Sequence, residues 1–305
     1  MSHPCVCGLL GEFKFPLTSE YFCPNCFSLK FEKKVIKRIP KYIRGHHVAI
    51  SLSGGKDSVT LLHLLHKYQR KLRINRLTAI ILEEEIPEIK MIRRKIVNKL
   101  RSHYSDIQII QKSYTELFGY SLPRLVQQSD EQGLEFTPCA ICGVLRRHGI
   151  LQLSLDTKSD YIALGNTLED EAGTILLNIM RGTPSRNFRD LIEYKPTDRQ
   201  SLPLRFKPLS KISEKAILNY TKINHYPILN AQCAYADRSL RSEISTFLAK
   251  IEKKDPRVLY NVVSLIKKDM RRKAQVERVQ RCRSCTSYSS EPVCSACRII
   301  QKIMS

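Results

Sequence analysis

The chain has 305 residues, enough for one large core or about two domains. Lys and Arg number 51 against 29 Asp and Glu, and the resulting charge of +22 points to a polyanionic partner. The apolar runs are short and broken by charge and the N-terminus carries no signal-peptide pattern, so a membrane protein is excluded and a soluble, cytoplasmic one is expected. Eleven cysteines, four near the N-terminus, three in the middle and four near the C-terminus, speak for metal or redox chemistry more than for disulfides.

Cys5-Val6-Cys7-Gly8 and Cys23-Pro24-Asn25-Cys26 make the first tetrad. A C-x-x-C pair brings two thiolates to one tetrahedral ion, which predicts a structural zinc site; the first pair has a single residue between its cysteines, and His3 could replace one of them. Residues 28–46 carry Lys30, Lys33, Lys34, Lys37, Arg38, Lys41 and Arg44, with Val35, Ile36 and Ile39 at helical spacing. They predict an amphipathic helix whose charges face either solvent or RNA. His46 and His47 read as surface or edge histidines.

Val48-Ala49-Ile50 then leads through Ser51-Leu52-Ser53-Gly54-Gly55-Lys56-Asp57-Ser58 into an apolar helical run. A strand, a glycine turn and a helix aim backbone N–H groups and a helix dipole at one point, which suits a phosphate. The lysine is followed by Asp57 and its spacing is wrong for a Walker A loop. The stretch resembles instead the SGGxDS loop of the PP-loop ATP pyrophosphatases, which implies that Ser53, Gly54, Gly55, Lys56, Asp57 and Ser58 bind ATP and that ATP is cut to AMP and pyrophosphate.

A helix over about 56–69, a strand at Leu77–Leu82, a helix near 88–103 and a strand at Ile107–Gln111 follow. This alternation predicts an α/β fold with a doubly wound parallel sheet whose ligands sit at the carboxyl ends of its strands. Glu83-Glu84-Glu85 ends the second strand, where PP-loop relatives carry D-E-G; it reads either as a solvated helix entry or as part of the site.

Thr137-Pro138-Cys139-Ala140-Ile141-Cys142 opens a helix, where thiolates are favoured. No second pair stands nearby, and the nearest unpaired cysteine is Cys233. The three could hold a [4Fe–4S] cluster with one iron open, or form a persulfide or disulfide relay. TPCAICGVLRR, SGGKDS, PLRFKPLSKISEKAILNY and the later cysteine together resemble the cytoplasmic tRNA 2-thiouridine synthetases, the catalytic subunits of tRNA 2-thiolation complexes, over essentially the whole chain. The resemblance implies an iron–sulfur cluster on Cys139, Cys142 and Cys233, and a basic catalytic residue at Arg146.

Gly165-Asn166-Thr167-Leu168-Glu169-Asp170 follows a strand at Tyr161–Leu164 and leads into a helix over residues 174–182. Relatives read G-H-N-x-D-D-x-x-E-T here; Gly165, Asp170 and Thr174 match, whereas Asn166, Thr167, Glu169 and Gly173 depart. An Asp beside ATP phosphates holds Mg²⁺ or orients the attacked oxygen, which makes Asp170 a candidate catalytic residue and Gly165 a nucleotide contact. Residues 182–211 form a basic, proline-rich stretch (Arg186, Arg189, Arg199, Arg205, Lys207, Lys211) suited to tRNA phosphates. Helices are predicted from Ser213 to about Asn224, over 239–254 and over 256–270; relatives carry glycines around Arg241–Glu243 that are missing here. Cys282, Cys285, Cys294 and Cys297, two C-x-x-C pairs eight residues apart, predict a zinc ribbon, flanked by Arg271, Arg272, Lys273, Arg278, Arg281, Arg283 and Arg298.

The expected organisation is an N-terminal zinc finger and basic linker over 1–45, a PP-loop catalytic domain over 46–260 and a C-terminal zinc ribbon over 261–305. The expected activity is ATP-dependent 2-thiolation of wobble uridine in cytoplasmic tRNA, with tRNA as partner. The resemblance further implies a ubiquitin-like sulfur carrier and a related second subunit, or a homodimer. Rival readings are a diverged, non-catalytic tRNA-binding zinc subunit and a PP-loop enzyme acting on another base.

Overall fold

The computed structural model describes residues 3–184, 193–196, 202–270, 276–285 and 287–305. Four two-residue strands, β1 (His3–Pro4), β2 (Leu10–Gly11), β3 (Phe13–Lys14) and β4 (Tyr21–Phe22), pair as two antiparallel ladders and lead into helix α1 (Pro24–Ile36). The helix ends ten residues short of the predicted linker helix, because Pro40 cannot continue it and a single 3₁₀ turn at Lys41–Ile43 takes over.

The alternating centre runs β5 (His47–Ser51), α2 (Lys56–Lys67), α3 (Gln69–Leu72), β6 (Arg76–Glu83), α4 (Pro87–His103), β7 (Gln108–Ser113), α5 (Tyr114–Phe118), α6 (Leu122–Glu131), α7 (Pro138–Asp156), β8 (Tyr161–Ala163) and α8 (Leu168–Met180). Then come β9 (Glu193–Pro196), β10 (Leu204–Phe206), α9 (Glu214–Ile223), α10 (Leu240–Lys254), α11 (Val258–Met270), β11 (Val276–Arg281), β12 (Tyr288–Ser289) and α12 (Ser295–Met304). The five main strands lie in the order β10-β8-β5-β6-β7, all parallel. Successive connections leave β5 in opposite directions, so the order reverses between β5 and β8, and the crevice at the carboxyl ends there is where an open α/β sheet binds its ligand.

Strand β6 is buried from Leu77 through Glu83, as a strand covered by helices on both faces must be. Side-chain alternation sorts its residues into two cores. Leu77, Ala79 and Ile81 join Val48, Ile50, Leu61 and Tyr220 together with Phe15, Phe22, Phe27 and Phe31 of the N-terminal segment. Ile80 and Leu82 on the opposite face join Tyr114, Leu125, Ile141 and Leu145 together with Cys282, Cys294, Ile299 and Ile303 of the C-terminal ribbon. A smaller cluster packs α8 against α10 and α11. Buried Glu32 on α1 accepts hydrogen bonds from Lys67 Nζ (2.7 and 2.9 Å), Tyr68 (2.6 Å) and Tyr220 (2.7 Å), tying the N-terminal module to the sheet domain. No helix among the described residues is long and apolar enough to cross a membrane.

Two elements in the segment predicted as loop are strands: β10 extends the main sheet, and β9 pairs in parallel with β11 of the ribbon. Arg186, Arg189, Arg199, Arg271, Arg272 and Lys273 lie outside the described residues. His47 is buried rather than at the surface, its ring 2.8 Å from Thr78 Oγ1 and 3.3 Å from the Lys158 carbonyl. His46 is exposed and stands 3.3 Å from the Asp160 carboxylate.

Candidate active site and metal centres

The chain leaves β5 at Ser51 and turns at Gly54, whose φ of +87° is the left-handed region that glycine enters without a steric penalty. Gly55 is the N-cap of α2 and offers no side-chain cap, so the first amides of that helix are left to an outside acceptor. Ser58 Oγ donates to the Gly55 carbonyl (3.1 Å) and accepts from the Ser53 amide (3.2 Å), which closes the loop on itself. Lys56 Nζ is held between Asp57 (3.1 Å) and Glu214 (3.0 Å). Burial raises the Asp57 carboxyl to about 6 despite Lys56, and its Oδ1 is buried with no hydrogen-bond partner. An orphaned carboxylate oxygen beside a free helix N-terminus fits a divalent cation carried by a nucleotide.

The loop after β8 packs directly on this turn. A Cβ on Gly165 would stand 3.2 Å from Ser58 N and 3.3 Å from Asp57 C, so any side chain there would push the two loops a few tenths of an ångström apart. Thr167 and Asp170 form a capping box at the start of α8, with Asp170 Oδ2 accepting from the Thr167 amide at 3.1 Å. That box starts the helix six residues earlier than the apolar run alone predicted. The other Asp170 oxygen lies 3.8 Å from Arg241, a residue standing in the region where relatives carry glycine. Glu169 turns away to accept the Glu214 amide (2.9 and 3.0 Å), and burial raises its carboxyl to about 7. The departures from the G-H-N-x-D-D pattern thus build caps for α8 and α9 around a retained Asp170.

The acidic cluster ending β6 is not a solvated helix entry. Glu83 and Glu84 are 3% and 4% exposed, and both grip the buried Arg93 guanidinium at 2.9 and 2.7 Å. Arg93 also donates to the carbonyls of Leu82 (3.3 Å) and Ser53 (3.2 Å), the latter within the phosphate loop. Glu84 accepts from Arg146 at 2.6 Å; burial opposes its charge, but Arg146 and Arg93 outweigh it and hold the carboxyl below its usual value. Glu85 keeps the left-handed backbone (φ +63°) that the glycine of D-E-G supplies, and its carboxylate caps α5 through the amide (2.9 Å) and hydroxyl (2.5 Å) of Thr115.

Cys139 and Cys142 lie in the first turns of α7, capped by Thr137; Cys139 is exposed and Cys142 half-buried, with its thiol pushed up chiefly by burial. Tyr114 donates to the Cys142 carbonyl at 3.0 Å and stands 3.5 Å from its sulfur. The Cys233 segment is anchored from two sides. Leu229 N–H donates to the Gly54 carbonyl at 2.7 Å, and the 3₁₀ turn Ala236–Arg238 packs on α7. Cys142 and Cys233 border the same core, and Arg146 sits one turn beyond Cys142. A donor set of three thiols on two facing segments fits a cluster held by three cysteines, whose irons spread the ligands wider than a single ion does.

Among the described residues, ligand atoms crowd within 4.8 Å of one another in two groups, Cys5, Cys7, Cys23 and Cys26, and Cys282, Cys285, Cys294 and Cys297. His3 stacks on Tyr21 (ring centroids 3.9 Å apart) and is not in the first group, so the single-spaced pair supplies both of its sulfurs. Cys23 and Cys294 each N-cap a helix by accepting from the amide three residues on. In the ribbon, backbone amides led by that of Cys294 overcome burial and lower the Cys282 thiol to about 6. All-thiolate tetrads with amide support fit structural zinc, with no position left open for chemistry.

Sequence reasoning missed Arg93, Tyr114 and Glu214. For Arg93 a signal exists: Ile89, Arg93, Ile96, Val97 and Leu100 share one helical stripe, and an arginine on an apolar stripe must find buried acids. Tyr114 and Glu214 carry no comparable signal, because their roles depend on contacts distant in sequence.

Comparison with known proteins places this geometry. A family profile for the PP-loop domain matches residues 28–250. A probable sulfurtransferase of Methanocaldococcus jannaschii is 27% identical over 98% of this chain and 87% of its own length. The cytoplasmic tRNA 2-thiolation protein 1 of Drosophila mojavensis is 30% identical over 97% of this chain and 86% of its own. The solved U34-tRNA thiolase NcsA of Methanococcus maripaludis, with its [4Fe-4S] cluster, superposes with a TM-score of 0.82 at 25% identity, covering 99% of this chain and 96% of that one.

Proposed function

This chain belongs to the PP-loop domain family and groups within it with the tRNA-thiolating proteins, and from that premise we propose that it replaces the 2-oxygen of the wobble uridine of cytoplasmic tRNA with sulfur, using ATP. The observation that carries this reading is the union of an intact phosphate loop with a three-cysteine site, joined by the Leu229–Gly54 hydrogen bond of 2.7 Å.

In the first step the uridine O2 attacks the α-phosphorus of ATP and pyrophosphate leaves. Residues Ser53 to Ser58 would hold the phosphates through the α2 amides and Lys56, while Asp57 and Asp170 would hold a Mg²⁺ ion, which when bound would offset the charge of the phosphates. In the second step sulfur at the oxidation level of sulfide adds to C2, and the C2–O bond breaks to release AMP with the oxygen. No net redox change occurs and one proton is released to solvent. Cys139, Cys142 and Cys233 would hold the iron–sulfur cluster, which when bound would supply the place of sulfur delivery. Arg146 would steady negative charge there.

An anticodon loop presents its base unstacked, so little energy is spent in exposing C2. The basic stretch over residues 182–211 and the ribbon arginines would contact tRNA phosphates. Two zinc ions would stiffen the terminal modules. A ubiquitin-like carrier would bring the sulfur, and a related second subunit or a second copy would complete the assembly in the cytoplasm.

The test is anaerobically prepared protein incubated with tRNA, ATP and sulfide, followed by nucleoside mass spectrometry. The expected result is 2-thiouridine at the wobble position that requires ATP, appears with AMP and is lost in Cys142→Ala. ATP-independent tRNA binding with no thionucleoside would overturn it in favour of the non-catalytic reading.

A further inference from the structure

The phosphate loop and the cysteine helix do not touch their respective chemistry in isolation. Arg93, 4% exposed, spans the gap between them. Its Nε donates to the Ser53 carbonyl at 3.2 Å, and its Nη1 lies 2.9 Å from Glu83 and 2.7 Å from Glu84. The second Glu84 oxygen takes Arg146 at 2.6 Å, one helical turn past Cys142. A second strut runs in parallel, since the Gly54 carbonyl next to Ser53 accepts from Leu229, four residues before Cys233. Two adjacent carbonyls of one loop are therefore each tied to an arm of the cysteine site.

We propose that Arg93 and Glu84 are positioning residues that couple nucleotide occupancy of the phosphate loop to the placement of Arg146 at the cysteine site. The physical basis is that loop carbonyls and amides belong to the same peptide planes. When phosphate draws the Gly54 and Gly55 amides forward, the Ser53 and Gly54 carbonyls turn with them, and the buried guanidinium bonded to Ser53, Leu82, Glu83 and Glu84 turns too. A solvated linkage would absorb such a movement; a buried, hydrogen-bonded one transmits it. Glu84 is the hinge because, among the described residues, it alone bonds both arginines. The inference rests on the thiolation reading above and adds to it an order of events: the sulfur-side cation is in place only when ATP is.

The test uses the full chain with its metals loaded, measuring pyrophosphate release and 2-thiouridine formation side by side with tRNA, ATP and sulfide. Wild type gives the two in equal amounts. Glu84→Gln keeps shape but can accept from only one arginine well, so Arg93 stays on Ser53 and Arg146 is released. The expected result is an unchanged KM for ATP, continued pyrophosphate release, and thiouridine formation lowered roughly 100-fold, the scale of a misplaced reacting group. An equal fall in both products would assign the network to folding alone and overturn the coupling. A wild type that makes no thiouridine overturns the parent reading and the coupling with it.

Arg93→Lys, which keeps the charge but not the fork, provides a second readout free of turnover. Addition of a non-hydrolysable ATP analogue is expected to change the visible absorption of the loaded wild-type protein, and to leave that of the variant unchanged although the analogue binds. The same change in both proteins would refute the coupling. If Arg93→Lys does not fold, the Glu84→Gln product ratio decides alone.

Discussion

Gly165→Ala isolates the contact between the loop after β8 and the phosphate turn. The added methyl would stand 3.2 Å from Ser58 N and 3.3 Å from Asp57 C and Ser58 Cα. All three are backbone atoms in the first turn of α2, so nothing at the end of a flexible side chain can swing away. The loop must shift by a few tenths of an ångström. Overpacking of this kind costs about 1–3 kcal/mol, and the reduced freedom of the unfolded chain offsets about 0.4–1 kcal/mol of it. A net destabilisation of about 0.5–2 kcal/mol is expected from urea unfolding. The shift falls on the phosphate-facing end of the helix, so ATP affinity should drop about tenfold, the equivalent of one weakened charge-assisted hydrogen bond. Isothermal titration with ATP measures this directly. An alanine variant with unchanged unfolding midpoint and unchanged Kd would show that the two loops are not in the tight register described and would refute the argument.

Asp57 supplies a pH-dependent prediction. Burial raises its carboxyl to about 6 from an ordinary value of 3.8, so ionisation costs stability progressively as pH rises through that range. Without nucleotide or divalent cation, Asp57→Asn should therefore gain on wild type from about pH 4 to pH 6, reaching about 2–3 kcal/mol and staying level above; a stability difference independent of pH would contradict this. Glu32 works in the opposite sense, because Lys67, Tyr68 and Tyr220 outweigh burial and lower its carboxyl. Its contribution is present above the unfolded carboxylate pKa and lost as pH falls below it, and Glu32→Gln should cost about 2–4 kcal/mol in denaturant unfolding at neutral pH; a cost under about 0.5 kcal/mol would mean the buried bonds add nothing. Cys294→Ser should remove half of the bound zinc by elemental analysis and lower thermal stability, and full retention of zinc would rule out the ribbon tetrad.

The strand, glycine turn and helix from Val48 to Leu65 were readable because all the information is local: an apolar run, two glycines and an apolar helical stripe. The two cysteine tetrads were readable for the same reason, since ligand spacing is a property of short segments. Helices α5 and α6 were not anticipated, although Ser113 and Ser121 cap them and Leu122, Leu125 and Val126 mark a helical stripe. Glu83 and Glu84 illustrate the deeper limit. Three acidic residues in a row look solvated until Arg93 and Arg146, ten and 62 residues further on from Glu83 and Glu84 respectively, are seen to neutralise them. Glu85 and Glu169 are similar: each departs from a pattern at a position where a distant amide, of Thr115 or Glu214, takes up the altered side chain.

The two large cores each join one end of the chain to one face of the central sheet. The face lined by Ile80, Leu82, Tyr114, Ile141 and Leu145 receives Cys282, Cys294, Ile299 and Ile303 only after all the chain between Leu145 and Cys282 has been made. Until then an apolar surface stands open on a chain whose phosphate loop is already made. On the zinc-ribbon reading proposed above, metal capture would be the step that seals this face, and a cell short of zinc would accumulate a sticky, half-clad form that quality control removes.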